Sequence, residues 1–149
     1  MAEPTGPTKG QRHVTLDEPG WTEGPGGGGR FTVFALGDDE HGPLIALVEY
    51  AANSRVGVHT HASDYFSLVI EGEIEITRRL ETKGSIRHVR ADTAYGPLVV
   101  GPEGCTVLEV FEDRTTFTAP AYLKESDRIA TAGSPMPELV QQVIAGTWT

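Results

Sequence analysis

The chain has 149 residues, enough for one domain with a core of its own. Hydrophobic residues make up 38% and charged residues 22%, and 12 Lys+Arg against 21 Asp+Glu give a formal charge of −9. That balance argues against nucleic acid, whose phosphates need a basic face, and works against an anionic membrane, so a small neutral or modestly polar molecule is the expected partner. Cys105 is the single cysteine, which excludes an internal disulfide framework. No apolar run approaches the length of a membrane-spanning helix, and the opening MAEPTGPTKGQ has no apolar segment of the kind a secretory signal carries. The expected location is cytoplasmic.

In chain order, residues 1–29 read as a flexible arm. They are rich in Pro, Gly and Thr, and GPGGGG at 24–29 is too glycine-rich for regular structure. Within the arm VTL at 14–16 is expected as a short strand, able to pair with its own sheet or to swap into a neighbour's. Residues 30–123 form a series of short β-branched runs: FTVFAL (31–36), GPLIALVEYA (42–51), RVGVHTH (55–61), DYFSLVIEGEIEITRRL (64–80), SIRHVRA (85–91), YGPLVV (95–100) and CTVLEVFED (105–113). The breaks between and within them are GDDEHG, AANS, a turn at Glu71-Gly72, ETKG and GPEG. Residues 124–149 form a tail with a short helix over 137–146. There Pro137 suits the first turn, Leu139, Val140, Val143 and Ile144 make one stripe, and Gly146 supplies the stop. Many short strands with one terminal helix predict an all-β barrel or sandwich.

Two histidines stand out in this pattern. His59 and His61 are two apart in a predicted strand, so their imidazoles point the same way. Strand parity groups Tyr65 with Ser67 and Val69, and sets Phe66, Leu68 and Ile70 on the other face; parity alone does not say which set is interior.

The segment Gly57-Val-His59-Thr-His61, three residues, Tyr65, six residues, Gly72 resembles the first motif of the cupins, small jelly-roll β-barrels. In that motif two histidines are followed by a glutamate and then by a glycine at a strand turn. Tyr65 occupies the glutamate slot, and Asn53 stands where the leading glycine would be. The second cupin motif, read from Gly84, has Arg90 at its proline slot, Asp92 at its glycine slot and Tyr95 at its histidine slot. The resemblance spans residues 42–113. It implies a cupin jelly-roll barrel with the Tyr65 set facing the cavity.

The resemblance also implies a metal centre, with Zn, Fe, Ni or Mn on His59 and His61, but both remaining ligand slots hold tyrosines. His88 is a candidate third ligand, sharing a predicted strand face with Ile86 and Arg90, and Asp64 is another if the register differs by one. The site is then an incomplete metal centre or holds no metal. The expected catalytic residues are His59, His61, Tyr65 and Tyr95, with Ser67, His88 and Arg90 binding substrate. Asp92 and Tyr95 also fit turn chemistry in RADTAYGP. Arg78, Arg79, Arg87 and Arg90 are of a type that can hold an anionic substrate bidentately, but their spacing places them on solvated faces; His13 and His41 are expected on the surface, and Cys105 as a small buried residue.

Three functions follow as expectations. The first is an acid–base isomerase, cyclase or dehydratase acting on a polar carbonyl or polyketide-like substrate, because a His–Tyr cluster in a dry cavity can take up and return protons. The second is a metal-dependent cupin dioxygenase using His59 and His61. The third is a binding module that catalyses nothing. A homodimer is expected in each case, since cupins commonly pair through sheet edges.

Overall fold

The computed structural model describes residues 11, 13–16, 20–24, 28–35, 40–117 and 120–130, the last three by their backbone alone. The expected helix over 137–146 lies outside the described residues. No helix among them is long and apolar enough to cross a membrane.

The β-branched runs become strands. These are β1 (Thr22–Glu23), β2 (Gly29–Ala35), β3 (Leu44–Tyr50), β4 (Arg55–Val56), β5 (His59–Thr60), β6 (Tyr65–Ile76), β7 (Arg79–Thr82), β8 (Ile86–Val89), β9 (Leu98–Phe111) and β10 (Ala121–Tyr122). Two short helices follow β9: α1 (Arg114–Phe117) and α2 (Glu125–Ala130). All the pairings are antiparallel, and the fold is an all-β jelly roll.

The two longest strands, β6 and β9, run side by side and bend together. Their first and last halves therefore belong to different sheets. On one side of the bend the order is β1-β2-β3-β9-β6-β8, and on the other β4-β9-β6-β7. The corner lies where Gly72 faces Cys105 and Ile74 faces Val100, so that residues 101–104 bulge out of the ladder. Gly72 has φ +78°, and a Cβ there would sit 2.1 Å from the carbonyl oxygen of Gly104. Only glycine fits this close approach.

The expected turn at Glu71-Gly72 is therefore a bulge inside a continuous strand, and GPEG is likewise a bend within β9. The real hairpin turn is Thr77-Arg78, with both residues left-handed at φ 51° and 66° and with Ile76 paired to Arg79. The expected run 55–61 divides at Gly57 because the backbone of α2 packs there; a Cβ on Gly57 would lie 2.0 Å from the carbonyl oxygen of Asp127.

The stretch expected to be loose contains β1, paired to β2 through Thr22 and Phe31, and Arg30 lies 4.2 Å over the Trp21 ring. Residues 14–16 do not form the expected strand: Val14 and Thr15 are in no regular element and Leu16 is in a turn. With Thr32, Ile45 and Leu47 they border a depression of about 410 Å³ on the outer face of the first sheet.

The core lies between the two halves of the folded sheet. Phe31, Val33, Leu44, Ala46, Tyr65, Val107 and Phe111 are all buried in it. Cys105 is a free, buried thiol, as its sequence context leads one to expect.

Candidate active site

The rungs of the first sheet decide which side chains meet inside the barrel. Along one rung Leu44, Phe111, Tyr65 and Val89 stand opposite one another. On the next inward rung the series is Ala46, Glu109, Ser67 and Arg87. Tyr65 is 1% exposed, Ser67 5% and Glu109 9%, so this is the interior face. Ala46 and Ser67 are small and flank the two charged side chains on this rung.

The histidines enter from a different part of the chain. His59 is fixed by a backbone bridge to Tyr95, whose N–H donates to the His59 carbonyl (3.2 Å) while the His59 N–H donates to the Tyr95 carbonyl (3.1 Å). The Nδ1–H of His59 donates to the Gly57 carbonyl at 2.8 Å, and that of His61 to the Thr116 carbonyl at 2.7 Å. A carbonyl only accepts, so each neutral ring carries its proton on Nδ1 and leaves Nε2 with a lone pair. Helix α1 supplies the Thr116 carbonyl, and the Thr116 hydroxyl also meets that of Ser63.

The rings pack as one aromatic cluster. His59 and His61 meet edge to face at 5.1 Å, His59 lies 4.7 Å from the Tyr95 ring, and His61 lies 5.5 Å from Tyr65. Phe111 stacks flat on Tyr65 at 4.5 Å. The Tyr65 and Tyr95 hydroxyls bond to each other at 2.5 Å. Arg87 Nη2 donates to the Tyr65 hydroxyl at 3.0 Å, and the guanidinium carbon lies 4.6 Å from the Tyr95 ring centre.

Burial sets the protonation states. It lowers His59, and it holds His61 down at about 4, with the Arg87 charge adding to both effects. Both rings are thus neutral acceptors at pH 7. Burial pushes the Tyr65 and Tyr95 phenols well above their ordinary value, so both remain donors. Burial likewise raises Glu109 to about 7, although the Arg87 charge pulls the other way. Glu109 is therefore poised between acid and base near neutrality.

His59, His61, Tyr65, Tyr95 and Ser67 are all brought into the interior. His88 and Arg90 are not. Phe66 pairs with His88 across β6 and β8, so His88 faces outward, where it stacks on Phe66 at 4.9 Å and its Nε2 lies 3.0 Å from Asp64. Arg90 shares that parity and is exposed. This removes both candidate third ligands, since Asp64 bonds His88 and the Ala91 N–H on the outer face. Arg87, expected on a solvated face, instead reaches inward, and Glu109 joins it without having been singled out in the sequence. His13 and His41 are exposed.

The donor set does not fit a divalent cation. No three His, Cys, Asp or Glu side chains among the described residues are gathered as a ligand group. His59 and His61 have the backbone-anchored Nδ1 that metal-binding imidazoles use, but their neighbours are phenols that burial keeps protonated and a guanidinium that repels a cation.

No protein-family model matches the chain, and no curated protein matches it in sequence. Solved structures do. An RmlC-like cupin protein from Ralstonia eutropha JMP134 superposes with a TM-score of 0.60 at 14% identity, over 91% of this chain and 87% of its own. An RmlC-like cupin from Shewanella frigidimarina NCIMB 400 gives 0.57 at 22% identity, over 72% and 96%. A variant of Bacillus subtilis oxalate decarboxylase gives 0.60 at 13% identity; the match covers 78% of this chain and about a third (35%) of the decarboxylase chain. The chain has the cupin fold.

Proposed function

We propose that this cupin-fold protein is an acid–base enzyme that moves protons on a polar carbonyl substrate within the barrel, as an isomerase, cyclase or dehydratase does. The observation that carries the reading is Glu109, a carboxyl held near 7 on the same interior rung as Ser67 and Arg87. Ionised Glu109 takes a proton from the carbon next to the carbonyl, and the electron pair moves onto the carbonyl oxygen. The Tyr65–Tyr95 hydroxyl pair and Arg87 stabilise that oxygen as its charge develops. Return of the proton from Glu109 to a different carbon completes an isomerisation; protonation of a departing hydroxyl completes a dehydration. His59 and His61, neutral and with free Nε2 lone pairs, orient hydroxyl groups of the substrate. Closed aromatic packing around the cluster keeps water from competing.

The test is proton exchange. Candidate carbonyl compounds incubated with the protein in deuterated water should take up solvent deuterium at the carbon next to the carbonyl, and Glu109→Gln should lower the uptake about a hundredfold or more. Tight binding without exchange would overturn the reading in favour of a binding module. Elemental analysis of protein purified without chelators is expected to find far less than one metal per chain. Stoichiometric metal that disappears on combined His59→Ala and His61→Ala substitution would overturn the acid–base reading in favour of the dioxygenase.

A further inference from the structure

The chain carries nine more negative than positive formal charges, yet three of its nine arginines border one depression. A depression of about 560 Å³ lies beside β7 and β8, with Arg79, Arg87 and Arg90 around it and Glu81, His88 and Tyr95 among its walls. Arg79 is held beside Glu81 at 3.4 Å. Arg87 and Tyr95 belong both to this depression and to the buried cluster, so the depression lies directly against that cluster.

Arg87 is incompletely satisfied. Its Nη2 donates to the Tyr65 hydroxyl, but its Nε is buried and has no hydrogen-bond partner. A buried N–H of a charged group left unpaired is costly, and such a group in a native fold calls for a partner. Nε and Nη2 form the edge of a guanidinium that grips a carboxylate through two parallel hydrogen bonds.

We infer that the depression beside β7 and β8 is the substrate entrance and that Arg87 holds a carboxylate there, making the substrate a carbonyl acid. This rests on the acid–base reading and supplies its substrate class. The outer arginines, Arg79 and Arg90, attract the anion, and Arg87 passes it inward to Tyr95 and Tyr65. A phosphate dianion suits the site less well. One guanidinium reaches the interior, and ionised Glu109 shares that space, so a dianion would leave two negative charges uncompensated in a medium of low dielectric where a carboxylate leaves one.

Binding of pyruvate and phenylpyruvate, of their methyl esters and of inorganic phosphate, measured by calorimetry on the full chain, tests the assignment. The acids should bind about tenfold or more tighter than the esters, since a charge-assisted bidentate pair is lost in the ester. Arg87→Gln should erase that preference, and Arg87→Lys should restore part of it. Should Arg87→Gln fail to fold, the acid-to-ester ratio in the unaltered protein and in Arg87→Lys decides. Equal binding of acids and esters, no binding of either acid, or phosphate binding tighter than both acids would overturn the inference. Deuterium uptake separates the two claims. Acids that bind through Arg87 without exchange leave the carboxylate site standing and remove the acid–base function; exchange that proceeds equally in the esters does the reverse.

Discussion

The two faces of the first sheet differ from the usual distribution of polarity, the inner one on a single rung. Inside, the rung Ala46–Glu109–Ser67–Arg87 places a carboxyl and a guanidinium where a core would hold aliphatic side chains. Outside, one residue along, the rung is Ile45–Val110–Phe66–His88, and the next is Leu47–Leu108–Leu68–Ile86. Phe66 is 53% exposed there and Ile86 72%. A half-exposed antiparallel sheet ordinarily turns its apolar residues inward and its polar ones out. The inner face departs from that pattern on one rung, between apolar rungs that carry Leu44–Phe111–Tyr65–Val89 and Val48–Val107–Val69. A polar rung enclosed in this way costs stability, and its position beside the His–Tyr cluster marks the place where chemistry has taken precedence over packing.

The largest expected effect comes from breaking the inner rung at its carboxyl. Glu109→Gln should lower proton exchange about a hundredfold or more, the scale of a lost general base. The same variant should change how stability depends on pH. Glu109 keeps its proton up to about 7 in the folded chain, whereas the unfolded chain gives it up near 4.5. Its stabilising contribution is complete below 4.5 and is lost as pH rises through 7, a change on the order of 3 kcal/mol. His61 acts in the opposite sense: its folded value of about 4 lies below the ordinary 6.5, so stability is lost as pH falls from 6.5 toward 4. His59 is lowered too and adds to the acid-side loss. In the native chain the two slopes oppose each other between 4.5 and 6.5. With Glu109→Gln the histidine slope remains alone, so urea unfolding should show steady loss on acidification and a more stable protein at pH 8. Parallel pH curves for the two proteins would show that Glu109 titrates normally, and the contrast between the faces would lose its chemical meaning.

Filling the space on the inner rung comes next in size. Ala46 is fully buried between Val33 and Glu109, so Ala46→Leu forces extra methylenes into a packed interior, at about 1–3 kcal/mol by thermal or urea unfolding. It should also exclude substrate. A stable Ala46→Leu protein that still binds and exchanges its substrate would show that the reaction takes place elsewhere.

The contrast between the faces also explains what the sequence allowed one to read. The strands were legible because β-branched runs alternate and turn residues punctuate them. The corners were not, because a glycine that permits a bulge, such as Gly72, looks the same as one that makes a turn, while the real turn at Thr77-Arg78 contains no glycine at all. The His–Tyr cluster was legible from the two-residue spacing of His59 and His61 and from the cupin pattern. Arg87 was hidden by its own strand. In Ile86–Val89 the outward Ile86 is apolar and the inward Arg87 is charged, so the usual sense of alternation points His88 and Arg90 inward. In CTVLEVF Glu109 is the one charged residue, and that lone carboxylate inside a hydrophobic run was the available signal, since a buried acid needs a reason to be there.

The smallest expected effect lies outside, at Ile86. Its backbone is one residue from Arg87 and belongs to the same four-residue strand, so the pair isolates the face from the position. At 72% exposure Ile86 has little buried area to lose, and Ile86→Ser should stay within about 0.5 kcal/mol in urea unfolding. Arg87→Ser, by contrast, removes the donor to Tyr65 and leaves a hole beside Tyr95 and should cost clearly more. A loss of more than about 2 kcal/mol for Ile86→Ser would mean that this face is covered in solution, because an exposed side chain cannot supply that much through contacts within the chain. Repeating the titration over a range of protein concentrations then identifies the cover. A midpoint that rises with concentration in the native chain and no longer does so in Ile86→Ser places a second copy on the outer face; a midpoint independent of concentration in both leaves the apolar ladder facing water.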